Sequence, residues 1–199
     1  MSAEDIVAIT QLVVRERESR DMGFWSRMRD CFHDDAEVNI SWFQGRGHEF
    51  VDASIGMAAR GMLAKHRLGP VLVTLNGDRA LATLSAIIDI PTDIDGKSFT
   101  LSAHCVLIYR VSRRGGVWRL SSFEVIYRRD EFTPAILGQA VQLPLEELAG
   151  YRASYRNMCY SLRLKGYQPS SELAGEDRPE SVRAILEKVY GWLGVPVPD

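Results

Sequence analysis

From about residue 68 the apolar residues stop recurring at helical spacing and fall into β-rich runs divided by turn signals. This change of period constrains the fold more than any other feature. Leu68 to Asn76 is rich in Val and Leu and ends in Asn76-Gly77-Asp78, where Asn and Gly tolerate the positive φ of a tight hairpin turn. Arg79 to Ile90 is the return strand, Pro91 to Gly96 a second turn, and Lys97 to Ser112 a long strand. Arg113-Arg114-Gly115-Gly116 makes a third hairpin loop and Val117 to Tyr127 the last strand. Consecutive hairpins of this kind predict an antiparallel meander.

The preceding stretch reads as helical. Residues 4–20 carry Ile6, Ile9 and Val13 at helical spacing, with Ser2 as the N-cap and Asp5 as its capping-box partner. Asp21-Met22-Gly23 interrupts the pattern, and a short helix follows from about Phe24 to Cys31. His33-Asp34-Asp35 is a polar turn, Ala36 to Trp42 a short strand, and Gln44 to Gly47 a connection into a third helix, His48 to Leu63. Helices followed by a meander predict an α+β domain with helices packed on one curved sheet.

After about Asp130 the composition shifts again. Thr133 to Pro144 reads as a surface crossing, and Leu145 to Leu162 and Pro179 to Leu193 as two further helices. Pro179 sits at a first helical position, where its missing N–H costs nothing. Val182, Ile185, Leu186, Val189, Trp192 and Leu193 form one apolar face, to be buried against the domain or a partner subunit. The expected organisation is a domain over residues 1–132 and a helical C-terminal extension over 133–199, with a homodimer or homotrimer expected partly from that face.

Composition excludes several classes. In 199 residues, 24 Lys+Arg against 26 Asp+Glu leave a net charge of −2, so no polyanion-binding surface and no nucleic-acid partner are expected. No apolar run approaches the ~18 residues of a membrane span. Cys31, Cys105 and Cys159 are odd in number and lack C-x-x-C spacing, which suits neither a disulfide framework nor a zinc site. The acidic start, Met1 to Asp5, lacks the order of a signal peptide, so a cytoplasmic protein without a membrane partner is expected.

Four histidines can carry chemistry. His33 reads as a solvated turn residue and His48 as a helix-start surface residue. His66 lies where a polar helix end meets an apolar strand, and His104 interrupts the apolar run Leu101 to Leu107. An imidazole there needs a partner, either as a core residue satisfied by hydrogen bonds or as part of a site. Asp21 ends the first helix before Phe24-Trp25, so it either points inward beside apolar walls or caps the helix in water. Ser122 and Glu124 share one face of the last strand, either a polar lining of an interior or an exposed sheet face. Phosphate-binding, dinucleotide and nucleophile-elbow motifs are absent, as is any H-E-x-x-H pair. The expected chemistry is therefore proton transfer with no cofactor and no metal.

Several segments together resemble the SnoaL-like branch of the nuclear transport factor 2-like superfamily. They are Ser19-Arg20-Asp21 before Phe24-Trp25, Phe32 to Val38, Lys65-His66-Arg67-Leu68-Gly69, Asn76 to Ala80, and Trp118-Arg119-Leu120 leading to Tyr127-Arg128-Arg129-Asp130. The resemblance covers roughly residues 4–132 and implies a cone-shaped antiparallel sheet wrapped by helices, with a pocket inside the cone. Within that superfamily Asp21, His66 and His104 look like the aspartate and two histidines of scytalone dehydratase. Asp21 and His66 also look like the Asp–His dyad of a hexachlorocyclohexane dehydrochlorinase. The tyrosines that hold water in scytalone dehydratase have no clear counterpart.

The resemblance implies a cofactor-independent lyase or isomerase, dehydratase-like, acting on a small hydrophobic, aromatic or polyketide-like substrate. His66 would be the base, Asp21 its orienting partner, and His104 the acid or hydrogen-bond donor. Trp25, Trp42, Ser122 and Glu124 would line the substrate site. The same fold also serves as a non-catalytic binding module or a structural subunit, as in the β subunits of aromatic-ring dioxygenases. An open pocket on which Asp21, His66 and His104 converge would favour catalysis; a filled cone would favour the structural role.

Overall fold

The computed structural model describes residues 2–198. Helix α1 (Ala3–Met22) starts at Ser2, whose hydroxyl accepts the Glu4 N–H at 3.1 Å, and stops at Gly23, where φ of 74° closes the helix. Asp5 does not complete a capping box. Its carboxylate instead accepts from Arg113 at 3.0 Å and from the Trp118 indole at 2.8 Å, fastening α1 to the far end of the sheet. Helix α2 (Trp25–Arg29) follows, then strands β1 (Phe32–Ile40) and β2 (Phe43–Arg46) and helix α3 (Gly47–Ala59). The strands β3 (Lys65–Leu68), β4 (Leu72–Asn76), β5 (Arg79–Ile94), β6 (Lys97–Arg114) and β7 (Val117–Pro134) complete one sheet.

The strand order is β2-β1-β7-β6-β5-β3, with β4 also on β5. All pairings are antiparallel except β1 with β7, which is parallel. Strands of 18 residues, such as β6 and β7, span roughly 60 Å if straight and must coil to enclose a core. Two register shifts between them, at His104/Cys105 and Arg110/Val111, supply that bending. The concave face carries Leu101, Ala103, Cys105, Leu107, Tyr109 and Val111 against α1 and α3, and these are buried in the main core.

Three local readings change. His33 is not in a solvated turn: β1 begins at Phe32, and the ring is buried with Nε2 3.0 Å from the Ser112 carbonyl. The Leu68–Asn76 run is two strands, because Gly69-Pro70 breaks the ladder between β3 and β4. The turn after β5 is the two-residue Asp95-Gly96, so Pro91 lies inside the strand.

The C-terminal segment packs on both faces of the sheet. Helix α4 (Leu145–Ala149), a 3-10 turn (Ala153–Tyr155) and helix α5 (Arg156–Leu164) replace the single long helix expected there. Met158, Cys159 and Leu162 of α5 join the main core. Residues 174–176 hydrogen-bond the free edge of β7 at Tyr127, donating and accepting at 2.9 Å. Helix α6 (Pro179–Leu193) lays Ile185, Val189 and Leu193 on Leu81, Ile108 and Ile126 of the convex sheet face. The apolar stripe of α6 is thus buried within the chain, which removes it as a reason to expect a partner subunit. No helix among the described residues is long and apolar enough to cross a membrane.

Candidate functional site

An apolar cleft, open at its mouth, lies inside the cone. Trp42, Phe50, Phe123 and Val125 form its walls, Ile88 and Ile90 one side, and Met158, Ser161, Leu162 and Lys165 of the C-terminal segment its cover. His66 enters from β3 because it pairs with Ile88 of β5, and directly opposed residues share a sheet face. Asp21 arrives from the last turn of α1. Its Oδ1 lies 2.6 Å from His66 Nδ1, and its Oδ2 accepts the His66 backbone N–H at 2.7 Å. Two contacts from one carboxylate fix both the position and the rotation of the ring.

The charges around the ring set its state. Burial pushes the His66 pKa below its ordinary 6.5; Asp21 opposes this, but Arg17 adds to it. The ring is therefore neutral near pH 7, with its proton on Nδ1 facing Asp21 and the Nε2 lone pair left available. Burial alone would raise the Asp21 carboxyl, yet its hydrogen bonds and proximity to His66 hold it below the ordinary carboxylate value. Arg17 Nη1 stands 3.4 Å from His66 Nε2, a long contact that a substrate group can replace. Its guanidinium lies 4.6 Å above the Phe123 ring and is paired with Glu16; the residues are 3% and 0% exposed. Burial works against the Arg17 charge, but Glu16, Tyr109 and Asp21 together outweigh it and keep the guanidinium protonated. Tyr109 completes the group, donating to Glu16 at 3.3 Å.

The other site residues expected from sequence are dispersed. His104 pairs with Ile87 of β5 and Arg129 of β7, one residue out of phase with the inward row, so it lies on the convex face. There it faces Glu131 at 3.4 Å, beside Arg67 and Arg129, and cannot reach the cleft. Ser122 and Glu124 are also turned outward: Ser122 accepts from Arg110 at 2.7 Å and Glu124 from Lys188 of α6 at 2.7 Å. The reason is the extra residue at Ser121, which puts both Leu120 and Phe123 inward and breaks simple alternation. Trp42 lines the cleft; Trp25 stands behind it, its ring 5.7 Å from the Arg20 guanidinium. Among the described residues, no group of three or more His, Cys, Asp or Glu side chains is placed to hold a metal.

Arg17, Arg20 and Glu16 were not anticipated as site residues. Their signal was nonetheless present, since positions 9, 12, 13, 16, 17 and 20 form one helical stripe that begins apolar and ends charged, and all are buried.

The comparisons with known proteins bear on the family and the fold. Residues 1–124 match the SnoaL-like domain, and the chain belongs to that family. A PEP2-like protein of Fusarium vanettenii is 29% identical over 145 residues, 71% of this chain. The chain spans only 62% of that relative's length. Among solved structures, a hexachlorocyclohexane dehydrochlorinase of Novosphingobium barchaimii superposes with a TM-score of 0.57 at 19% identity, covering 71% of this chain and 96% of its own. A Mycobacterium tuberculosis protein of unknown function does so with 0.52 at 18%, covering 82% and 94%. These likenesses are of fold.

Proposed function

We propose that this chain is a cofactor-independent lyase or isomerase that removes a proton from carbon in a small hydrophobic or aromatic substrate, with His66 as base. The observation that carries the reading is the Asp21–His66 pair, which leaves Nε2 unprotonated at the edge of an apolar cleft and beside a permanent cation. A carbon acid next to a carbonyl gives its proton to Nε2. Asp21 stabilises the imidazolium that forms, and Arg17 stabilises the negative charge developing on the carbonyl oxygen. Collapse of the enolate then expels a β-leaving group, to which the imidazolium returns the proton; return to another carbon instead gives isomerisation. Arg17 supplies charge and not a proton, so the His66 imidazolium itself serves as the acid. The dehydrochlorinase that shares the fold is named for an elimination, which supports the reading.

The test is a panel of aryl β-hydroxy ketones followed by the absorbance of the conjugated enone, with the full chain and with His66→Gln. Dehydration of at least one member by the wild type, reduced about 10²–10⁴-fold in the variant, is expected. Binding of the panel with no turnover and no proton exchange would make the protein a binding module instead.

A further inference from the structure

Arg20 differs from the other buried arginines of this chain. It is 5% exposed and lines the cleft one helical turn from Arg17. Arg17 is neutralised by Glu16, and Arg152 by Asp177 at 2.6 Å. Among the described residues no carboxylate pairs with Arg20. Its contacts are the Met57 sulfur at 3.7 Å and the face of Trp25 at 5.7 Å. A guanidinium carries five N–H donors, and beyond the Met57 sulfur those of Arg20 meet no protein acceptor among the described residues. Burial and the neighbouring Arg17 charge hold its pKa down at about 10, which still leaves it charged at neutral pH.

A second cation shares the cleft. Lys165, just after α5, is half-buried and donates to the Pro91 carbonyl at 3.2 Å, with no carboxylate partner among the described residues. Asp21, the one acidic group nearby that is not bound to an arginine, is committed to His66. The remaining lining is largely apolar and aromatic. An apolar chamber with surplus positive charge, and a planar donor fork without a partner, fits a ligand that brings its own anion on an apolar body.

We propose that the substrate of this cleft is a small organic acid, a carboxylate on an apolar, ring-sized body, and that Arg20 assisted by Lys165 is the subsite that holds it. This deepens the proposed reaction and rests on the cleft being its substrate site. Arg17 is left to meet the charge that develops during reaction, while Arg20 meets the charge the substrate already carries.

The probes are 2-naphthoate and its neutral isostere 2-naphthamide, titrated calorimetrically into the full chain. Naphthoate should bind about 10- to 100-fold more tightly than the amide. Arg20→Met, checked for fold by circular dichroism, should erase that preference, and Arg20→Lys, which keeps the charge without the fork, should reduce it. A wild type that prefers naphthoate to the amide yet exchanges no α-proton of an aryl ketone would sink the base assignment and leave this subsite standing, so the two failures are separable. Equal affinity of the wild type for acid and amide would overturn the proposal even if Arg20→Met did not fold. So would a preference that survives in folded Arg20→Met and Arg20→Lys.

Discussion

Replacing Asp21 by Asn changes one atom and should invert the chemistry of His66. The carboxylate now accepts the backbone N–H at 2.7 Å and the Nδ1 proton at 2.6 Å. An amide offers one acceptor and one donor. If its oxygen stays on the half-buried backbone N–H, its NH₂ faces Nδ1 and drives the ring proton to Nε2, the position that must be empty in a base. The charge is lost as well. Two unit charges about 4 Å apart at an effective dielectric of about 20 interact by ~4 kcal/mol, a ceiling equivalent to ~10³ in rate. The His66 pKa, already low, should fall further. Long-range ¹⁵N correlations of the imidazole at pH 7 read the outcome directly: a protonated Nδ1 in the wild type and a protonated Nε2 in Asp21→Asn. Turnover of any panel compound should fall about 10²–10³-fold. An unchanged Nδ1–H tautomer with full turnover in the variant would refute the reasoning.

Arg17→Met should cost about 3–5 kcal/mol in urea unfolding, because it strands a fully buried Glu16, whereas the double variant with Glu16→Gln should recover part of that loss. Burial lowers the pKa of both His66 and His33 below 6.5, so the unfolded chain binds more protons than the folded one under mild acid. Stability should therefore decline as pH drops below about 6.5, and His33→Gln should flatten the decline measured by urea midpoints at several pH values. Leu193→Ala should cost about 2–5 kcal/mol by opening the α6 contact with the convex sheet face. His104→Ala should leave turnover unchanged and stability within about 0.5 kcal/mol, since its partner is the exposed Glu131.

The fold was largely legible because its signals are local. Asn76-Gly77-Asp78 and Gly115-Gly116 turn the chain where the sequence places them, and Pro179 opens α6. Asp21 and His66 were legible through resemblance, and their contact spans 45 residues that no local rule relates. Strand parity was not legible. A single inserted residue at Ser121 decides whether Ser122 and Glu124 face inward, and bulges leave little trace in a short run of mixed residues. His104 failed for a related reason: a long strand with buried neighbours on both faces, one under the cone and one under α6, has no alternation to read. The helix α6 stripe showed that something must cover it without showing that the cover is the chain's own sheet.

Whether His66 takes a proton from carbon is read by hydrogen–deuterium exchange at the α-carbon of an aryl ketone in D₂O, followed by ¹H NMR with wild type and folded His66→Gln. Loss of the α-proton signal with the wild type, slowed about 10²–10⁴-fold in the variant, is the predicted result. Equal exchange rates with the two proteins would contradict it.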